Sequence, residues 1–205
     1  SRGMGVYVYS GTAIFETVEI KNHRIASNSG TAVIFAYGSG KATIKEGTLI
    51  QKNILSGNSN GSNPNAILSA GTGGHLIIEG GLITENTVEA GSDAVIVGIG
   101  LYLTPVFTMT GGKITNNHLF GKGENEAGET IGNVAVNMRG TASQARFEFS
   151  GAPYVYDNKN AAGEQRNVFL KNTAAIGNAY LFLIGSMTKG AKVGVYANIM
   201  PTLAE

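Results

Sequence analysis

Only a few side chains in this sequence are of kinds that perform chemistry, and their spacing limits what they can do. The chain has 14 Asp and Glu, 15 Lys and Arg, three His and no Cys. Glycoside hydrolysis needs two carboxyl groups facing each other across the scissile bond. Asp93 and Asp157 are the Asp residues, and they fall in separate segments with no acidic neighbour to complete a pair. Glu124, Glu126 and Glu129 could offer oxygen to a cation, but they lack the Asp-rich spacing of a dedicated Ca²⁺ loop. His23, His75 and His118 sit in different segments and in different local contexts, so neither a His-metal centre nor a Ser-His-Asp triad is expected. Gly71-Thr-Gly73-Gly74 lacks the Lys-Ser/Thr and the following helix of a phosphate loop. The expectation is no catalytic residue, no metal site and no cofactor.

The bulk numbers narrow the partners. A net charge of +1 without any Lys/Arg run gives no basic stripe for nucleic acid. No run of 18 apolar residues is present, so no membrane insertion by this segment is expected. Thirty glycines and 14% charged residues suit many short strands joined by turns.

What must position any functional side chain is a repeat. The stretch Phe107-Thr-Met-Thr-Gly-Gly-Lys-Ile-Thr-Asn-Asn117 reads as a strand, a Gly-Gly corner and a second strand ending on Asn. An aliphatic residue three positions before Asn recurs as Ile25/Asn28, Ile50/Asn53, Ile83/Asn86, Ile114/Asn117, Val155/Asn158 and Val195/Asn198. Recurrence at 20–50 residues marks a solenoid, a propeller or an array. Some units are too short for a four-stranded propeller blade. The reading is an all-β, right-handed parallel β-helix of about six coils with three short strands per coil. The six Asn then form a structural ladder at one corner, where Asn tolerates left-handed torsions and bonds to the Asn above and below.

Second-strand apolar pairs are read at Val18/Ile20, Ala42/Ile44, Leu76/Ile78, Phe107/Met109, Phe147/Phe149 and Leu181/Leu183. Glu46-Gly47 and Gly151-Ala152-Pro153 stand where Gly-Gly would be, and Asn22-His23 is read in that role in the first unit. First strands begin at Val6, Val33, Ile67, Val95, Val134 and Val168, taken to point inward. The next residues, Tyr7, Ile34, Leu68, Ile96, Ala135 and Phe169, would then form an outward apolar stripe, a candidate interaction surface that ought to be covered. The variable insertions follow each Asn, so stacking collects them along one edge, where solenoids meet partners. They carry Asn58, Asn60 and Asn63, then Glu89 and Asp93, Lys122, and Lys159, Glu164 and Arg166. Tyr7, Tyr9, Tyr37 and Tyr102 could make a sugar-stacking platform, although packing alone accounts for most strand aromatics.

Units such as Phe107–Asn117, with Gly5-Val-Tyr-Val-Tyr-Ser-Gly11 at the head of a coil, resemble bacterial cell-surface, adhesin-like β-helix repeat proteins from about Gly5 to Asn198. Ser186-Met-Thr-Lys-Gly-Ala-Lys-Val-Gly-Val195 is similar to the closing unit of such regions. The resemblance implies export to the cell surface or medium and a non-enzymatic role. Residues 1–205 read as one domain, a fragment of a longer repeat protein, with 199–205 as a tail. The expected partners are other copies, end-to-end or lateral, and a host or glycan surface. The alternative is a carbohydrate-active β-helix protein, either a polysaccharide-binding module or part of a lyase or hydrolase.

Overall fold

The structure is a computed structural model that describes residues 5–26, 31–57, 65–100, 104–122, 133–139, 146–173, 177–178 and 180–197. Among these residues it is all-β, and the chain winds as a parallel β-solenoid with four sheets along its length. One turn shows the plan. Ala32–Ala36 lies in the first sheet, Lys41–Ile44 in the second, Leu49–Gln51 in the third and Ile54–Ser56 in the fourth. The next turn repeats it with Ala66–Ala70, His75–Ile78, Leu82–Thr84 and Thr87–Val88. The strands pair in parallel with the turns above and below, apart from an antiparallel bridge between Asn172–Thr173 and Gly177–Asn178.

The turn therefore has four strands where the sequence reading expected three. The fourth begins directly after the ladder Asn and spans only two or three residues, as in Thr87–Val88, His118–Leu119 and Lys159–Asn160. So short a segment carries too little alternation to read as a strand. The coil count also differs slightly. The first five turns have all four strands, whereas the next has strands in the first three sheets only, and Val195–Ala197 returns to the first.

Each turn alone leaves its apolar face in water, and stacking buries it in columns. One column of the third sheet runs Ile20, Ile50, Ile83, Ile114, Val155 and Val193. In the second sheet Ala42, Leu76, Phe107, Phe147 and Leu181 stand in line, and the rings of Phe107 and Phe147 stack at 4.6 Å. The first-turn members of this sheet are Ala13 and Phe15, not Val18 and Ile20. The bend into the third sheet uses left-handed torsions at Thr17, Gly47, Gly81, Gly112 and Gly151. Hence Glu16-Thr17, rather than Asn22-His23, takes the Gly-Gly place in the first turn. At Gly112 the crowding is also steric: a Cβ would stand 2.6 Å from the carbonyl oxygen of Gly80 in the turn before.

The register of the first sheet corrects the inward assignment. Val6 and Val168 share a column with Ile34, Leu68, Val97 and Val136, not with Val33, Ile67, Val95 and Val134. Ile34, Leu68, Ile96 and Ala135 belong to the main core, while Ala66, Val95 and Val134 cluster separately with Phe169 and Tyr196. A slip of one residue exchanges the two faces of a strand. The apolar pairs that open these strands are both buried, so hydrophobicity could not choose between them.

Candidate functional site

The corner between the third and fourth sheets holds a continuous stack of buried, hydrogen-bonded amides. Asn53, Asn86, Asn117 and Asn158 stand there one above another, all buried. From Asn86 onward each Oδ1 accepts twice from the rung before, a backbone N–H and a side-chain amide. Asn86 Oδ1 accepts from Asn53 N–H at 3.1 Å and Nδ2 at 2.8 Å. Asn117 Oδ1 serves Asn86 at 3.1 and 2.9 Å, and Asn158 Oδ1 serves Asn117 at 3.2 and 2.7 Å. Each Nδ2 also donates to a preceding aliphatic carbonyl: Ile20, Ile50, Ile83 and Ile114 in order. Every buried polar atom of the stack is thus matched, the condition under which such a network stabilises rather than costs.

The ends of this ladder differ from the sequence expectation. His23 holds the first rung, its backbone N–H donating to Asn53 Oδ1 at 3.0 Å. Asn167 closes the other end, accepting from the Asn158 N–H at 3.1 Å and Nδ2 at 3.0 Å. Asn28 and Asn198 lie outside the described residues. The partners of their motifs are elsewhere as well: Ile25 pairs with Leu55 in the fourth sheet and Val195 with Val168 in the first. The left-handed torsions are carried by the residue before each rung, namely Asn22, Lys52, Glu85, Asn116 and Asp157. The ladder Asn supplies the inward amide, and its neighbour makes the bend.

Those left-handed residues line the outside of the corner. A cleft of about 610 Å³ opens there among Lys52, Glu85, Asn116, Asn117, His118, Asp157 and Lys159. Lys52 and Glu85 approach to 3.8 Å. Asp157 accepts from the Tyr154 hydroxyl at 2.9 Å and from Gln165 Nε2 at 3.3 Å, and the first of these bonds pushes the Tyr154 phenol above its ordinary range. The lining mixes cations, carboxylates and amides, a surface suited to hydroxyl-rich or zwitterionic ligands.

A second polar group sits on the outer face of the second sheet. His75 Nε2 is 2.7 Å from Thr108 Oγ1, and the Thr108 hydroxyl donates to Glu148 Oε2 at 3.1 Å. The single hydroxyl proton goes to Glu148, so His75 donates from Nε2. Burial pulls the His75 pKa below its ordinary value, partly opposed by the negative Glu148. Arg146 holds Glu148 at 2.8 Å and lies over the Phe182 ring at 4.5 Å. His75 stands two residues before Ile77, which pairs with Thr108, so alternation along the strand puts all three polar side chains on one face.

Of the expected stripe, Ile34, Leu68, Ile96, Ala135 and Phe169 are fully buried and Tyr7 is exposed. The column facing away from the main core runs Tyr7, Phe35, Ser69, Gly98, Asn137, Phe169 and Tyr196, and it is buried from Phe35 to Phe169. In chain order the longest stretches between strands, after Ser56 and after Leu119, separate a fourth-sheet strand from a first-sheet strand. Several of the charges described in such fourth-to-first stretches are paired: Glu89 with Arg24 at 2.7 Å, Asp93 with Lys122 at 3.4 Å and Glu164 with Arg166 at 2.9 Å. Asn58, Asn60, Asn63, Glu124, Glu126 and Glu129 lie outside the described residues, as does Tyr102. Among the described residues no three His or carboxylate side chains are arranged to hold a metal. None of their helices is long and apolar enough to cross a membrane.

Comparison with protein families, with curated proteins and with solved structures finds no match to this chain.

Proposed function

We propose that this chain is a non-enzymatic, adhesin-like surface module that works outside the cell, a stiff rod whose flanks present side chains to a partner. The unbroken hydrogen-bonded ladder from Asn53 to Asn167 carries this reading. It ties successive turns together at a buried corner, so side chains on the flanks keep a fixed spacing of about 4.8 Å per turn. That regularity suits a repetitive ligand such as a surface polymer. A glycan array combined with an activity screen on acidic polysaccharides tests it: binding without cleavage is the expected result, and cleavage would overturn it.

One observation favours a second reading, a polysaccharide lyase or hydrolase: the His75–Thr108–Glu148 chain with Arg146 beside it. Turnover of polygalacturonate that disappears in Glu148→Gln would establish that alternative. Self-association is also part of the proposal. Among the described residues Ile14, Leu183 and Ile184 are exposed, apolar surface that a second copy would cover. Light scattering should report head-to-tail oligomers that grow with concentration. A single monomeric mass across the range would exclude them.

A further inference from the structure

We propose that the outer face of the first two turns is a stacking site for a neutral, β-linked hexose polymer, an inference that rests on the surface-module reading and names its ligand class. Four rings make the site. Tyr7 and Tyr9 project from the first turn, and Phe35 and Tyr37 from the second, with Tyr7 in register with Phe35. Tyr9 and Tyr37 stack at 6.1 Å with 24° between their planes, and Tyr7 and Tyr37 at 6.1 Å with 29°. Tyr7 and Tyr9 are 6.3 Å apart, and Phe35 supports the group from 5.5 Å at Tyr7 and 5.7 Å at Tyr37.

Phe35 is buried beneath the group, but core packing does not account for Tyr7 and Tyr9. Val8, between Tyr7 and Tyr9, points into the core, whereas Tyr9 is 62% and Tyr7 45% exposed. Nor does the repeat require them, since Ser69 and Gly98 fill the same column in the third and fourth turns.

The backbone under the rings is held firmly. Tyr37 N–H donates to Val8 O at 2.9 Å, Ser39 N–H to Tyr9 O at 3.2 Å and Gly38 N–H to Thr72 O at 2.8 Å. Gly40 permits this approach, because a Cβ there would fall 1.9 Å from Val8 O. Binding therefore freezes little that is not already fixed, which keeps its entropic cost low.

Charge and shape select the ligand. Residues 5–11 and 33–40 contain no charged side chain, so the segments that carry the rings offer an acidic polymer or a phosphate backbone no cation of their own. Phenol rings have apolar faces and hydroxyl rims. A β-linked gluco-configured pyranose has the matching form, with axial C–H bonds on its faces and hydroxyls around its edge. A second copy that added a strand to the Val6–Val8 edge would lie beside the rings, not over them.

The test is calorimetric titration of the full chain with cellohexaose, with hexagalacturonate as the acidic control. Tyrosine emission gives a second readout, uncomplicated because the chain has no Trp. Saturable cellohexaose binding is expected, with none to hexagalacturonate. Tyr9→Ala should weaken binding about tenfold or more, and Tyr9→Phe by only about threefold, since stacking survives loss of the hydroxyl. An unchanged melting temperature in Tyr9→Ala would show that the fold is retained. No saturable binding, equal binding of the acidic oligomer, or binding indifferent to Tyr9→Ala would each overturn the platform. In the last case the rod still binds sugar elsewhere, and the surface-module reading survives. Tyr9-dependent binding followed by cleavage of the oligomer would uphold the platform and overturn the non-enzymatic reading. Tyr9-dependent self-association without sugar binding would make the rings a contact between copies and also refute the proposal.

Discussion

Replacing Asn86 by Ala removes a middle rung of the ladder, and its cost follows from the bonds around it. Asn53 loses the acceptor for both its N–H and its Nδ2, because both point to Asn86 Oδ1. The Asn53 side chain keeps a bond to Ile20 O, but its backbone N–H is left buried without a partner. Asn117 Oδ1 loses one of its two donors, and Ile50 O loses the amide that reached it. Three side-chain hydrogen bonds contribute about 1 kcal/mol each, and an orphaned buried N–H costs about 1–3 kcal/mol. The total is about 4–6 kcal/mol, a large part of the about 5–15 kcal/mol that separates folded from unfolded domains. Guanidinium denaturation followed by circular dichroism should show the midpoint falling accordingly. Asn53→Ala and the double variant complete a cycle, and the two losses should be clearly non-additive because the residues share bonds. Asn86→Asp sharpens the test. It restores the acceptor but sets a carboxylate oxygen against Asn117 Oδ1. A proton restores the donor, and burial raises the folded pKa, so the native state binds more protons than the unfolded one. The stability of Asn86→Asp should therefore increase as pH falls. A midpoint for Asn86→Ala within about 1 kcal/mol of the parent would refute the argument that the stacked amides hold the turns together.

Gly112→Ala should destabilise by about 2 kcal/mol or more, since φ is +75° and the new methyl meets Gly80 O; an unchanged midpoint would mean the corner relaxes freely. Lys52→Gly should be neutral to stabilising by up to about 1 kcal/mol, because an exposed side chain at φ 55° gives way to the residue that prefers that torsion, and a clear loss in thermal melting would show that the Lys52–Glu85 approach matters more. His75 is held below its ordinary pKa of about 6.5, so the unfolded state takes up its proton first as pH drops. Melting temperature should then fall below about pH 6.5, and His75→Gln should flatten that part of the profile; equal slopes in parent and variant would exclude His75 as the cause.

The solenoid was legible in the amino-acid sequence because a repeat writes the same local demand many times. An inward amide at four successive third-sheet corners left the aliphatic-x-x-Asn spacing, and left-handed bends at the second-sheet exits left Gly47, Gly81, Gly112 and Gly151. The sequence by itself determined the parallel stack and the corner of the ladder. What it left open were differences of one position. The apolar pairs Ile67-Leu68 and Ile96-Val97 read equally well in either register, and only bonding to the neighbouring turns chose one. The fourth strand was invisible because its two or three residues pair across turns and carry no period of their own. Tertiary structure also decided which residue bends and which one bonds, putting the torsion on Asn116 and the buried amide on Asn117. Chain neighbours of one type are alike in sequence, and they become different only when one faces the adjoining turn and the other faces water.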